Sequence, residues 1–273
     1  MKRKLGSILL NLVLIALGIL TVLPFIWMLF SSFKHNSEIV SLNQTFIPLE
    51  FTLSNYTGIQ EKFNFIRLFI NSLMVAIIVT CIVVYTSTIS GFVLSKYKFK
   101  GRNILFSFIM ATMMIPWAVT IIPRYSMMLD FGWIDSYTAL IVPSMVSGFG
   151  IFMLKQYIST IPDEIIEAAR IDGANEFHIF HRIIFPMCQN AISSIAIFQF
   201  LWVWEDYLWP YLVINSESKQ LLSVGLTAFN GRYSTNYGGL FAATTISIIP
   251  VIIVYLIFQK RFIDGIASSA VKG

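Results

Sequence analysis

Six stretches of this chain carry no charged side chain: Leu5 to Phe33, Leu68 to Ser95, Asn103 to Pro123, Ser136 to Leu154, Ile183 to Trp204 and Tyr233 to Gln259. Each is largely apolar and near or above the length of about 20 residues, at 1.5 Å rise, that crosses the hydrocarbon core of a bilayer. Helices of soluble proteins keep a polar face, so six runs without one exclude an ordinary globular core. The composition agrees, with 56% hydrophobic and 12% charged residues against roughly one quarter charged in soluble domains. The expected fold class is an all-α integral membrane protein with six transmembrane helices.

Lys and Arg assign the sides of the membrane. With the N-terminus inside, thirteen of the nineteen, among them Lys2, Lys96, Lys98, Lys155, Arg170 and Lys260, fall on inner segments, the excess that marks the cytoplasmic side. Both termini and the connection from 155 to 189 are then expected in the cytoplasm. The net charge of +5 reads as a topology signal and gives no reason to invoke nucleic acid. The first run starts basic but extends over 29 uncharged residues without a small-x-small cleavage pattern, so an anchor is expected rather than a signal peptide. Cys81 and Cys188 offer no disulfide framework and read as packing residues.

The outer loop from Lys34 to Arg67 is the longest connection, which divides the chain into an N-terminal anchor and outer loop (1–67), a five-helix core (68–262) and a tail (263–273). Pro24, Pro116, Pro123, Pro143, Pro210 and Pro250 lie in or beside apolar runs, and such residues kink helices.

The polar connection 160–188 is the exception in this hydrophobic sequence. Pro162 suits a first helical turn, and Asp163 and Glu164 suit its positive end. A helix is expected to about Ile171, ended at Asp172-Gly173 because glycine tolerates the left-handed conformation. A second helix is expected to start at Asn175 as its cap, to carry Phe177, Phe180 and Ile184 on one face, and to stop before Pro186. Ala168, Ala169, Gly173 and Ala174 leave little bulk on this unit, so another protein could approach its backbone. A Glu167–Arg170 pair at i, i+3 is the plain alternative for the charges.

The segment Glu167-Ala168-Ala169, with Gly173 four positions after the second alanine and Ile183-x-x-Pro186 at its end, resembles the EAA loop of ABC importer permeases. Similar motifs run along nearly the whole chain. Phe46-Ile47-Pro48 with Phe51-Thr52-Leu53-Ser54-Asn55-Tyr56 is similar to the outer loop of MalG-like subunits of maltose-type carbohydrate transporters. Phe69-Ile70-Asn71-Ser72-Leu73 resembles the start of their second span, and Trp204 to Pro210 their fifth. Gly265 to Gly273 resembles their C-terminal ending. Glu205 departs from the fifth-span motif, which usually has Asn there, and Ser269 departs from the ending, which usually has Gly.

The resemblance implies a type I importer permease (MetI-like) core in the cell membrane of a prokaryote. It implies that Glu167, Ala168, Ala169, Asp172, Gly173, Ala174 and Pro186 couple the chain to an ATP-hydrolysing subunit. The implied partners are a second homologous permease, an ATP-binding cassette ATPase dimer and an extracytoplasmic sugar-binding protein, besides membrane lipid. The chain itself has no GxxxxGK[ST] phosphate loop. It is read as non-catalytic and without a cofactor of its own, ATP and Mg being bound by the partner. His178 and His181 lack a ligand set around them, so no metal site is expected.

Glu205 and Asp206 stand among Trp202, Trp204, Tyr207, Trp209 and Tyr211 at the far end of the fifth run. Charges in a span usually face a bundle interior or wet cavity. Trp202, one of the two carboxylates and Trp209 would share a helical face, and aromatic platforms with hydrogen-bonding carboxylates suit neutral di- or oligosaccharides. Asn71 and Ser72 are further candidates for the path, though packing between helices suits them as well. Otherwise the two carboxylates lie in the headgroup region and pair with Lys219 or Arg232. A different class of function, an ion-coupled secondary transporter using Glu205 and Asp206, would need no ATPase.

Overall fold

The computed structural model describes residues 2–231 and 235–270, with side chains left aside at 2–6, 8, 9, 62 and 264–270. Arg232, the Ser269 side chain and the last three residues of the expected tail therefore lie outside the described residues. Regular structure in the described residues is helical, apart from one isolated bridge between Asn230 and Thr235.

The principal helices are α1 (Lys2–Ser31), α2 (Phe65–Lys96), α3 (Arg102–Met114), α4 (Trp117–Asp130), α5 (Tyr137–Ile141), α6 (Gly148–Ile158), α7 (Asp163–Ile171), α8 (Glu176–Met187), α9 (Gln189–Glu205), α10 (Leu208–Val213) and α11 (Tyr237–Ala270). Four stretches, Leu10–Ser31, Phe65–Lys96, Tyr137–Ile158 and Tyr237–Ile263, are long and apolar enough to cross a membrane, or up to six if two bent helix pairs each count as one.

Those bent pairs break the third and fifth apolar runs, of which the third carries the kink expected at its proline. Between α3 and α4 the axis turns by 101°, where Ile115 is extended at ψ 117° as a residue before proline tends to be. Between α8 and α9 it turns by 76°. The helix expected to stop before Pro186 runs through it to Met187. Ile179–Ile184 is a π-helical stretch, whose wider turn opens the place where a proline ring would otherwise meet the carbonyl four residues back.

The chain forms two compact units, one of Met1–Ile66 with Gly225–Ile249 and one of Arg67–Val224 with Pro250–Gly273. In the first, Asn55 Nδ2 donates to the carbonyls of Ser32 and Lys34 at 2.8 and 2.7 Å. Phe33 stacks on Phe51 at 4.7 Å. These contacts close the connection after α1 into an ordered structure.

The second unit is built around α2. Val75, Val79 and Val83, one turn apart on one face, are almost wholly buried in its core with Leu154, Ile158, Ile179, Ile184 and Ile195. Ser87 and Gly91, spaced as a small-xxx-small pair, let α2 approach α6 closely. A Cβ at Gly91 would stand 2.8 Å from the backbone nitrogen of Lys155. Elsewhere Phe108, Met114, Val119 and Ile122 on α3 and α4 are exposed, an apolar surface that lipid or another subunit must cover. Cys188 packs in the core, whereas Cys81 is exposed rather than packed.

Candidate functional site

The loop helix α7 starts after Pro162 with Asp163 and Glu164 in its first turn. Its inner face buries Ile166 and Ala169, and its outer face exposes Glu167, Ala168, Ile171 and Asp172. Gly173 ends it at φ 82°. Ala174 N donates to Ala169 O at 2.9 Å and Gly173 N to Arg170 O at 3.0 Å, the paired bonds of a Schellman end. Open space surrounds the missing Cβ of Gly173, so the backbone angle is what favours glycine there. Ala174 is half-buried and Pro186 is exposed. Asn175 caps α8, its side chain accepting from His178 N at 2.8 Å.

Charge pairing in this loop differs from the i, i+3 alternative. Arg170 Nε donates to Glu176 Oε1 at 2.8 Å, because the turn at Gly173 brings Glu176 back beside the end of α7. Tyr97, just past α2, donates its hydroxyl to the other Glu176 oxygen. Its neighbour Lys96 donates to Ile161 O and to Asp163 Oδ1, the latter at 2.5 Å. That bond holds the Asp163 carboxyl below the usual carboxylate range. Glu167 takes no part in these ion pairs. Phe180 and Ile184 are buried, but Phe177 is 71% exposed and Ile171 86% exposed. Phe177 thus stays outside the core that it was expected to share, which takes in this helix from Ile179 onward.

At the other end of α9 the expected continuous helical face is interrupted. α9 stops at Glu205, Asp206 is extended with ψ 119°, and the chain restarts as α10. Trp209 therefore belongs to a different helix from Trp202. It is buried, its Nε1 donates to Ala139 O at 2.9 Å, and the Arg124 guanidinium lies 4.8 Å from its ring centroid. Trp202 is exposed and packs edge-on against Phe149 at 5.6 Å. Glu205 is exposed.

Asp206 is partly buried and lines a cavity of about 140 Å³ with Gln199, Trp202, Ser144, Leu140 and Leu221. Its charged neighbour is Arg124, which also donates to Pro143 O at 2.6 Å. Lys219, one of the two cations expected to pair with these carboxylates, instead bonds Asp135 at 3.2 Å. Asn71 Nδ2 donates to Ser218 O and Gln220 O, both at 3.0 Å, and Ser72 Oγ accepts from Leu222 N at 2.7 Å. Both polar groups of this pair are spent on holding a loop.

In the sequence Lys96 reads only as a topology marker, and Tyr97, Glu176 and Arg124 are given no role in a site. The first two close an apolar run, where a basic residue reads as a topology marker. Arg124 reads as loop because it follows Pro123, yet α4 continues through that proline.

Residues 84–268 match the family described as binding-protein-dependent transport system inner membrane component. The chain is 36% identical over 267 residues to the arabinooligosaccharides transport system permease protein AraQ of Bacillus subtilis, covering 97% of this chain and 95% of that protein. It is 27% identical to the lactose transport system permease protein LacG of Rhizobium radiobacter, covering 98% of each. A chain in the crystal structure of a bacterial ABC transporter that imports the acidic polysaccharide alginate superposes with a TM-score of 0.85 at 23% identity, over 96% of this chain and 98% of that one. That likeness shows the fold, and the coverage by the family carries the assignment: this chain belongs to the binding-protein-dependent transport system inner membrane components, a family of multi-pass ABC transporter permeases.

Proposed function

We propose that this chain is one of two permease subunits of an ATP-driven importer of sugars, di- or oligosaccharides being the expected cargo. It lies in a prokaryotic cell membrane with six spans and both termini in the cytoplasm. One observation carries the coupling part of this reading. The loop 163–177 is buried and hydrogen-bonded on one face, while its other face presents Glu167 and Ala168 beside exposed Ile171 and Phe177. Exposed apolar side chains on a polar loop favour a protein partner, and small residues let that partner approach the backbone. The partner is an ATP-binding cassette ATPase, with Gly173 fixing the angle at which the two loop helices meet it. ATP and Mg belong to that subunit.

The names of relatives, arabinooligosaccharides and lactose, support a sugar cargo, and the family's description supports its delivery by an extracytoplasmic binding protein. Family membership leaves the ion-coupled alternative without support. The polar groups of Asn71, Ser72 and Trp209 are engaged in the fold, so the substrate path narrows to Asp206 and Trp202, with Gln199 joining them around the cavity.

Co-purification with the second permease and the ATPase, reconstitution in vesicles and a sugar panel presented with the binding protein test this reading. Sugar-dependent ATP hydrolysis and ATP-dependent uptake are the expected results. Uptake that persists without the ATPase would sink it. For the path, Asp206→Asn is expected to lower uptake while leaving assembly intact, and unchanged uptake and affinity would remove Asp206 from it.

A further inference from the structure

The loop and the Asp206 cavity are joined by one helix, and it is gripped at both ends. At its last residue Lys96 holds Ile161 O and Asp163 at the start of α7, and Tyr97 holds Glu176 at the start of α8. The Lys96 side chain is 5% exposed, and the Tyr97 ring is packed on Phe92 at 5.4 Å. Both anchors are thus held by the core as well as by the loop. Twenty-five residues earlier on α2, about 38 Å away at helical rise, Asn71 and Ser72 hold the backbone of Ser218, Gln220 and Leu222. That segment continues into the cavity wall: Leu221 lines it, and Ser223 Oγ donates to Asp206 O at 2.7 Å.

Resting on the importer reading above, we propose that α2 is a rod that carries movement of the coupling loop to the cavity wall, with Lys96 and Tyr97 as its grip on the loop and Asn71 and Ser72 as its grip on the wall. A rigid helix bonded at both ends is the kind of contiguous element through which two sites can be coupled. Val75, Val79 and Val83 keep it seated in the core, so the rod moves with its surroundings rather than bending within them. These four are positioning residues: the hydrogen bonds they make are to the protein itself.

The assay uses the complete transporter, both permeases with ATPase and binding protein, in vesicles, and scores only assembled complex. Tyr97→Phe removes one hydroxyl and keeps the ring. Sugar moved per ATP is expected to fall about fivefold or more, the lower range of ordinary coupling, while binding-protein-stimulated hydrolysis is retained. Ser72→Ala at the opposite end is expected to give the same split, and Asn71→Ala provides a second variant there if Ser72→Ala fails to assemble. Because the two grips act in series, the double variant is expected to be no worse than the poorer single one. Equal losses of hydrolysis and uptake, losses that multiply in the double variant, or wild-type transport per ATP in both singles would each overturn the rod. A wild-type complex without ATP-dependent uptake would instead count against the importer reading itself.

Discussion

Asp135, just before α5, and the loop 163–177, just after α6, sit at opposite ends of the Tyr137–Ile158 stretch and are finished in opposite ways. Asp135 has φ 59°, the one positive value at a non-glycine among the described residues. Its carboxylate accepts from Asn215 N at 3.1 Å, Ser216 N at 2.8 Å, Ser216 Oγ at 2.5 Å and Lys219 Nζ at 3.2 Å. The Ser216 hydroxyl and backbone, with Lys219 and Asn215, hold the acid well below the usual carboxylate range. This left-handed aspartate is therefore secured inside the chain. The left-handed residue at the other end is Gly173, which brings no side chain, and its surroundings expose Ile171 and Phe177. The first cluster is closed and needs nothing more, whereas the second is pinned from within and left open outward.

The largest effect is expected where the open end depends on backbone shape. Gly173→Val puts a β-branched residue at φ 82°, a strain of about 1–3 kcal/mol. ATP-dependent uptake in reconstituted vesicles is expected to fall at least about tenfold, the factor that 1.4 kcal/mol gives. Gly173→Asn is expected to keep most of the activity, since asparagine visits the left-handed region at small cost. Equal activity of the Val and Asn variants would mean that the turn does not set the loop's docking angle.

Next come the outward side chains. Ile171→Ala and Phe177→Ala are each expected to weaken ATPase binding about fivefold or more, as truncating a central interface anchor does at a cost above about 1 kcal/mol. The Tm of the isolated permease should not move, because neither side chain is buried in it. Binding titrations with purified ATPase and a melting curve separate the two. A lowered Tm with unaltered binding would make these residues internal packing and erase the contrast with the closed end.

Asp135→Ala is expected to do the reverse: Tm in detergent falls, while sugar moved per ATP by surviving complexes stays at the wild-type value. Loss of coupling without loss of Tm would show that the closed end also participates in transport.

Much of the open end was legible in the sequence, and little of the closed one. Pro162, the acidic first turn, Gly173 and Asn175 are local signals, and local hydrogen bonds decide helix ends, so α7 and the start of α8 fall where those residues direct. The passage through Pro186 was not legible, because it depends on a π-helical stretch whose apolar residues, Ile179, Phe180 and Ile184, are held by distant parts of the core. Asp135 meets its partners about 80 residues later in the chain, and no periodicity announces such a pairing. Asn71 and Ser72 were legible as polar residues on an apolar helix, yet whether they face a path or a loop is decided by the placement of Ser218 to Leu222. The 101° break at Ile115–Pro116 was marked by its proline, but its angle is set by packing.

The smallest effect is expected at the Lys96–Asp163 pair, and its pH dependence has a definite sign. The folded carboxyl of Asp163 titrates below its unfolded value because Lys96 stabilises the charged form. The contribution is fully present above the unfolded pKa, about 3.9, and is lost as pH falls through the lower folded value. Asp163 is 73% exposed, and solvent screens such pairs, so only a small Tm difference between wild type and Asp163→Asn is expected at pH 7. That difference should shrink as the pH drops below the unfolded value, and added salt at pH 7 should reduce it as well. A gap that stays constant across this acid range would mean that Lys96 holds α7 through Ile161 O alone. The open end would then be pinned by a bond to the backbone that acid does not release, unlike the carboxylate that secures the closed one.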